Sequence, residues 1–270
     1  MTTYAIGNLH NGYESLQRLL ETIQFNKEQD VLWFSGNLAN HGKDTLAILR
    51  FVKELGQSAV TVLGDNDIKL LSIAEGFAEA GPDENYDEIL NAPDRDTLLR
   101  WLRQCPFIHH DPKLNFIMVH AGIPAEWSLS LASTFSIEAE TALAFGNHKA
   151  FLENMRGNPP RRWNAKLQGW KRLQFIVNAF TRIRCCNDKG YMDFSVKVPV
   201  NNPAQAYIPW YQLPNRDTSN LNIVFSHWAE NDAVDNELYP NIYPLNAGAE
   251  TVSPGIALKL SSGIQRISSH

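Results

Sequence analysis

The sequence lacks the ingredients of a disulfide scaffold. Its three cysteines, Cys105, Cys185 and Cys186, are odd in number and share no repeated spacing, which excludes a ladder of bridges and a zinc ribbon and fits reduced thiols. It also lacks any apolar run approaching the roughly 18 residues that a spanning helix needs. The opening residues, MTTYAIGNLHNG, contain no basic stretch followed by an apolar run and do not read as a signal peptide, so the expected setting is cytoplasmic, with no membrane partner. Positive charge is not in excess: the formal net charge is -5, which argues against a general nucleic-acid partner while leaving room for a local basic pocket that holds a small phosphorylated ligand. No internal repeat and no low-complexity segment is visible.

What is present is enough apolar material for a core. Hydrophobic residues make up 44% of 270 residues, which excludes global disorder and fits one large α/β domain or two small ones. Short apolar runs alternate with helical patterns through the first half. Strands are expected at 3–6, 31–34, 59–63 and 115–119, and helices at 13–23, 43–55, 68–80 and 94–104, the first two with an apolar stripe at helical spacing. Strands alternating with helices imply βαβ units and a largely parallel sheet. The stretch from about 125 to 215 begins helical and becomes rich in Pro, Asn and aromatics, which suggests a cap of helices and long loops. Beyond it, short runs at 221–225, 241–245, 255–260 and 264–267 read as strands of a second, more antiparallel sheet. The expectation is an α/β fold of two packed mixed β-sheets flanked by helices, in a single domain over 1–270.

Polar residues gather where strands stop: Asn8, His10 and Asn11, then Asn37, Asn40 and His41, then Asp65, Asn66 and Asp67, then His120, and finally His227. Ligands of open α/β sheets bind outside the carboxyl ends of strands. One isolated histidine at a strand end would read as a loop residue, and Asn after Gly is a common turn residue. The same pattern, apolar strand then Gly or Ser then a ligand-type side chain, recurs at five separate points. Imidazole and carboxylate groups so delivered are plausible ligands for zinc, iron or manganese. His109-His110 lacks that setting and reads as surface loop. Trp127, Trp170 and Trp228 read as core or cap packing, and Arg161-Arg162 beside Trp163 as solvated loop.

These segments resemble the calcineurin-like metallophosphoesterases, and more narrowly the bacterial symmetrical diadenosine tetraphosphatases. The family pattern is GD-x-HG, GD-x-x-x-RG, GNHD, VHAG and GHWA. The counterparts here are Gly7-Asn8-Leu9-His10-Asn11-Gly12, Gly36-Asn37-Leu38-Ala39-Asn40-His41-Gly42, Gly64-Asp65-Asn66-Asp67, Val119-His120-Ala121-Gly122 and Ser226-His227-Trp228-Ala229. Asn178-Ala179-Phe180-Thr181-Arg182-Ile183-Arg184 and Trp101-Leu102-Arg103 carry the narrower likeness. The resemblance implies a metallophosphoesterase fold and a two-metal site. One ion would lie at the positions of Asn8, His10 and Asn37, the other at those of Asn37, Asp65, His120 and His227, with position 37 bridging. It implies a general acid at position 66 within Asn66-Asp67, a phosphate grip at position 41, and Arg182 and Arg184 on the polyphosphate. The implied reaction splits diadenosine tetraphosphate into two ADP.

The departures fall on that chemistry. Asn8 and Asn37 stand where the resemblance puts aspartates, Asn66 where it puts histidine, and His41 where it puts arginine, while Asp65 replaces an asparagine. Leu245-Asn246-Ala247-Gly248 stands where the pattern carries an aspartate. An amide cannot exchange a proton at useful pH, and imidazole lacks the guanidinium fork. Two dications 4 Å apart repel by roughly 17 kcal/mol at an effective dielectric of about 20, and a bridging carboxylate offsets much of that. With one carboxylate left, the expected cofactor is one divalent ion (Mn, Fe, Zn or Co) on Asp65, His120 and His227, with none as the other outcome. Two readings follow: a divergent, strongly impaired symmetrical dinucleoside tetraphosphatase, or an inactive protein that binds a dinucleoside polyphosphate or other nucleotide. Arg182 and Arg184 fit phosphate binding or ion pairing alike.

Overall fold

The computed structural model describes residues 1–9, 12–39, 44–195, 207–227, 238–245, 256–260 and 265–268. Its first sheet is built from β1 (Thr2–Ile6), β2 (Asp30–Phe34) and β3 (Ala59–Thr61), all parallel. The crossovers are α1 (Gly12–Thr22) and α2 (Thr45–Leu55), as the alternating pattern predicts. α3 (Asp65–Ala74) follows β3, and the short α4 (Asp87–Leu90) and α5 (Arg95–Leu102) come after it. The chain then enters a second sheet through β4 (Ile108–Asp111) and β5 (Phe116–Val119), an antiparallel pair.

Three helices follow: α6 (Leu129–Ala144), α7 (His148–Asn154) and α8 (Gly169–Arg182). A small sheet of β6 (Cys185–Cys186), β7 (Met192–Asp193) and β8 (Ile208–Pro209) comes next. The chain ends with β9 (Asn222–Phe225), β10 (Ile242–Pro244), β11 (Ile256–Leu260) and β12 (Gln265–Ser268). The first sheet runs β12-β11-β1-β2-β3 and the second β10-β9-β5-β4.

Period-2 alternation explains how both faces of each sheet are buried. Ala5, Val31, Trp33, Phe116, Met118, Val224, Leu258 and Leu260 form the layer between the sheets. Their chain neighbours Ile6, Leu32, Phe34, Ile117, Val119, Ile223 and Phe225 join the larger core on the opposite faces, with the inward faces of the helices. A one-residue slip of β5 would exchange its two apolar sets.

Several expectations are corrected. The C-terminal strands do not form a separate antiparallel sheet: β9 and β10 run parallel to each other and to β5, while β11 pairs antiparallel with β1 and carries β12 as a hairpin onto the first sheet. The partner of a strand is set by long-range packing that spacing does not encode. His109 and His110 lie in β4 rather than in a loop, and the His109 ring packs edge-on to Trp33 at 4.6 Å. The helix expected over 68–80 starts at Asp65 and stops at Ala74. Gly76, at φ 79°, sits in the left-handed region, and the amides of Gly76 and Phe77 fold back onto the carbonyls of Ile73 and Ser72, which is the glycine stop of a helix. Trp127 is fully buried, but Trp170 is 41% exposed rather than packed; Trp228 and residues 196–206 of the expected cap lie outside the described residues.

Candidate metal and phosphate site

Five strand ends meet at one edge where the two sheets face each other. Gly36 and Gly64 permit the close approach. A β-carbon on Gly64 would stand 2.7 Å from the Asn37 backbone nitrogen, and one on Gly36 would stand 2.8 Å from the Gly64 nitrogen and 2.9 Å from His120 Nδ1. Gly36 also adopts φ 93° and Asn37 φ 54°, a region that glycine enters freely and asparagine tolerates.

Asp67 fastens these loops together. It is fully buried, and its carboxylate accepts from the backbone amides of Asn37 at 2.8 Å, Ala39 at 2.8 Å and Gly64 at 2.9 Å. Burial pushes its carboxyl upward, opposed by the three amides and by His120. The last of these bonds also closes the first turn of α3. Asp67 thus ties the loop after β2 to the start of α3, which carries Asp65 and Asn66.

Asp65, His120 and His227 converge. His120 Nε2 lies 3.3 Å from Asp65 Oδ1, His227 Nδ1 lies 3.5 Å from the same oxygen, and the two imidazole nitrogens are 3.2 Å apart. Ligand atoms about 2.0–2.2 Å from a common ion at tetrahedral angles stand roughly 3.3–3.6 Å from one another, so the triangle has the dimensions of three ligands on one divalent cation. Among the described residues no other group of three His, Cys, Asp or Glu side chains converges in this way. His120 Nδ1 donates to the Ser35 carbonyl at 2.7 Å, which fixes the tautomer and turns the Nε2 lone pair toward the cluster. Burial pushes the His227 imidazole down to about 3, with His120, Arg184 and Arg182 adding to the effect against Asp65. Burial alone would raise the Asp65 carboxyl, but His227, His120 and the Asn37 amide together hold it well below the usual carboxylate range.

Asn37 is engaged at both ends. Its Nδ2 donates to Asp65 Oδ1 at 3.0 Å and its Oδ1 accepts from the Asn66 backbone amide at 2.9 Å. A carboxylate neighbour demands a donor and an N–H demands an acceptor, so the amide has one consistent orientation. Asn8 reaches the same edge, where its Oδ1 accepts from Ser226 Oγ at 3.0 Å. Ser226 is fully buried. It stands at the glycine position of the GHWA pattern, and its hydroxyl joins the ends of β1 and β9, a role that its neighbours in sequence do not signal. His10 and His41 lie outside the described residues. Asn66, next to Asp65 at the start of α3, is half-buried.

The two arginines adopt different settings. Arg184 Nε donates to the His227 carbonyl at 2.9 Å. Arg182 donates to the Gly157 carbonyl and to Asn178 and Asn158 Oδ1, and lies over the Phe194 ring. Burial lowers the Arg182 guanidinium, Asp65 raises it and Arg184 lowers it; both arginines therefore stand within electrostatic reach of the cluster. Arg162 lies over the Tyr191 ring, and Trp163 packs among Trp127, Phe135 and Phe175.

The chain is similar to known proteins over most of its length. Residues 1–140 match the family described as calcineurin-like phosphoesterase. The chain is 41% identical to the symmetrical bis(5'-nucleosyl)-tetraphosphatase of Thioalkalivibrio sulfidiphilus over 229 residues, 85% of each chain. It is 40% identical to the corresponding protein of Stutzerimonas stutzeri over 264 residues, 97% of this chain and 95% of that one. A crystal structure provisionally described as a diadenosine tetraphosphatase superposes with a TM-score of 0.58 at 18% identity, covering 100% of this chain and 94% of the other. At that identity it supports the fold alone.

Proposed function

The chain belongs to the calcineurin-like phosphoesterases, within them to the family of the symmetrical bis(5'-nucleosyl)-tetraphosphatases, and from this we propose that it is a divergent, strongly impaired member that binds a dinucleoside polyphosphate beside a single divalent ion. In this reading residues 1–270 act as one unit, with 125–215 as a cap over the site, in the cytoplasm. Asp65, His120 and His227 would hold the ion, and their spacing suits it. Such an ion polarises a phosphoryl oxygen and activates water.

The supporting observation is the double engagement of Asn37. Its Nδ2 faces Asp65 and its Oδ1 faces the Asn66 amide, so neither end is free to bridge a second cation. Asp65 is the carboxylate of the cluster, and Asn8 is a neutral amide. Asn66 has no exchangeable proton for the leaving nucleotide, and loss of a general acid alone costs typically 10²–10⁴-fold. What remains is recognition. Arg184 steadies the His227 backbone, and Arg182 presents a guanidinium toward the phosphate chain, where charge-assisted hydrogen bonds are strong. The second reading, an inactive nucleotide-binding protein, is favoured by the same asparagines and differs only in how far the rate falls.

Turnover of diadenosine tetraphosphate with added manganese or cobalt separates them. The expected result is ADP formation at least ~100-fold slower than by an intact relative under the same conditions, with binding of the substrate retained. Turnover equal to that of the relative sinks the impaired reading. Binding without any ADP above the protein-free rate establishes the inactive one.

A further inference from the structure

α3 carries Asp65 at one end and a different chemistry at the other. Beyond Ala74 it meets α5 and α7, leaving a depression of about 130 Å³ whose lining includes Glu75, Arg95, Asp96, Arg100, Arg103 and Leu152. That is several times the roughly 10–15 Å³ one water requires on such a measure. Arg95 Nη2 donates to the Ala74 carbonyl at 2.7 Å and closes the helix end. Its Nε is buried with no hydrogen-bond partner. Buried donors are almost always satisfied, and this orphaned N–H belongs to a guanidinium that lines the hollow.

The local charge indicates what the hollow would take. Glu75 is already committed, with one oxygen 3.1 Å from His148 Nε2 and the other 3.1 Å from Lys149 Nζ; burial raises its carboxyl, and Lys149 and His148 together hold it lowered. Among the described residues Arg95, Arg100 and Arg103 form no ion pair, and Asp96 is the single other acid in the lining. Three guanidiniums thus face one uncommitted carboxylate. Their planar forks match the oxygens of phosphate.

We propose that this depression is a second anion site that takes a phosphate-class oxyanion, either inorganic phosphate or the phosphate tail of a free nucleotide. α3 spans ten residues, so the site stands about 15 Å along the helix axis from the Asp65 cluster. It depends neither on a bound metal nor on hydrolysis, and its failure would leave the proposed function untouched.

Calorimetric titration of chelator-treated full-length protein at constant ionic strength tests it, with inorganic phosphate in one arm and ADP in the other. The expected result is an equivalent of bound anion that weakens at least ~10-fold in Arg100→Gln/Arg103→Gln, with Arg18→Gln on α1 unaffected. The double variant keeps the Arg95–Ala74 bond, so it tests the site without opening the helix end. Loss in the phosphate arm assigns the site to free phosphate, and loss in the ADP arm alone assigns it to a nucleotide tail. No binding in either arm, binding unchanged in the double variant, or equal weakening in Arg18→Gln overturns the proposal.

Discussion

Asn8→Asp, Asn37→Asp, Asp65→Asn and Asn66→His combined in one chain raise turnover of diadenosine tetraphosphate by at least ~100-fold. The change at Asp65 follows from the geometry. Asn37 Nδ2 stands 3.0 Å from Asp65 Oδ1. Asn37→Asp alone sets two carboxylates at that distance, where two unit charges repel by about 5 kcal/mol at an effective dielectric of about 20. With Asp65→Asn the hydrogen bond returns with donor and acceptor exchanged, and the negative charge moves to position 37. In chelated protein Asn37→Asp is therefore expected to lower the melting temperature and Asp65→Asn in the same chain to restore it, a coupling that a double-mutant cycle reads directly. Additive effects would show that the two side chains do not depend on each other. No gain in turnover from the combined variant would show that the pocket around the phosphates has changed as well.

Asp67→Ala is expected to be the most damaging single change to the fold near the site. It strands three buried backbone amides, those of Asn37, Ala39 and Gly64, and a buried donor left without a partner costs about 1–3 kcal/mol. Even the low end of that range totals about 3 kcal/mol, a large share of a typical stability of about 5–15 kcal/mol. A fall in melting temperature of about 10 °C follows at roughly 2–4 °C per kcal/mol. Asp67→Asn keeps one acceptor oxygen and should fall between the wild type and Asp67→Ala. A calorimetric scan in which Asp67→Ala melts with the wild type would remove Asp67 from its fastening role.

Much of the frame is readable in the residues. The short apolar runs Thr3–Ile6 and Val31–Phe34 and helical stripes such as Leu46, Leu49 and Val52 give the parallel half of the first sheet, because strands buried on both faces read as continuous apolar runs between amphipathic helices. Strand ends also reveal where ligand-type side chains collect, and Asp65, His120 and His227 meet as expected. What stays hidden is relational. The pairing of β11 with β1 joins residues more than 250 positions apart, and no local pattern specifies it. Asn37 and Asp65 are 28 positions apart, so their shared hydrogen bond appears only once the loops fold together. Asp67 reads in sequence as one more polar residue beside the chemistry; its burial and three amide partners give it a positioning role instead. Ser226 joining Asn8 to the end of β9 across 218 positions is hidden for the same reason.

The number of tightly held metal ions tests this description most directly. Purified protein titrated with manganese by calorimetry and checked by elemental analysis should hold one equivalent, and His120→Ala should abolish it, because His120 supplies a corner of the ligand triangle at 3.3 Å from Asp65 and 3.2 Å from His227. Two tight equivalents in the unaltered chain would contradict it, since the second ion would have to be held by an asparagine whose both ends are already bonded.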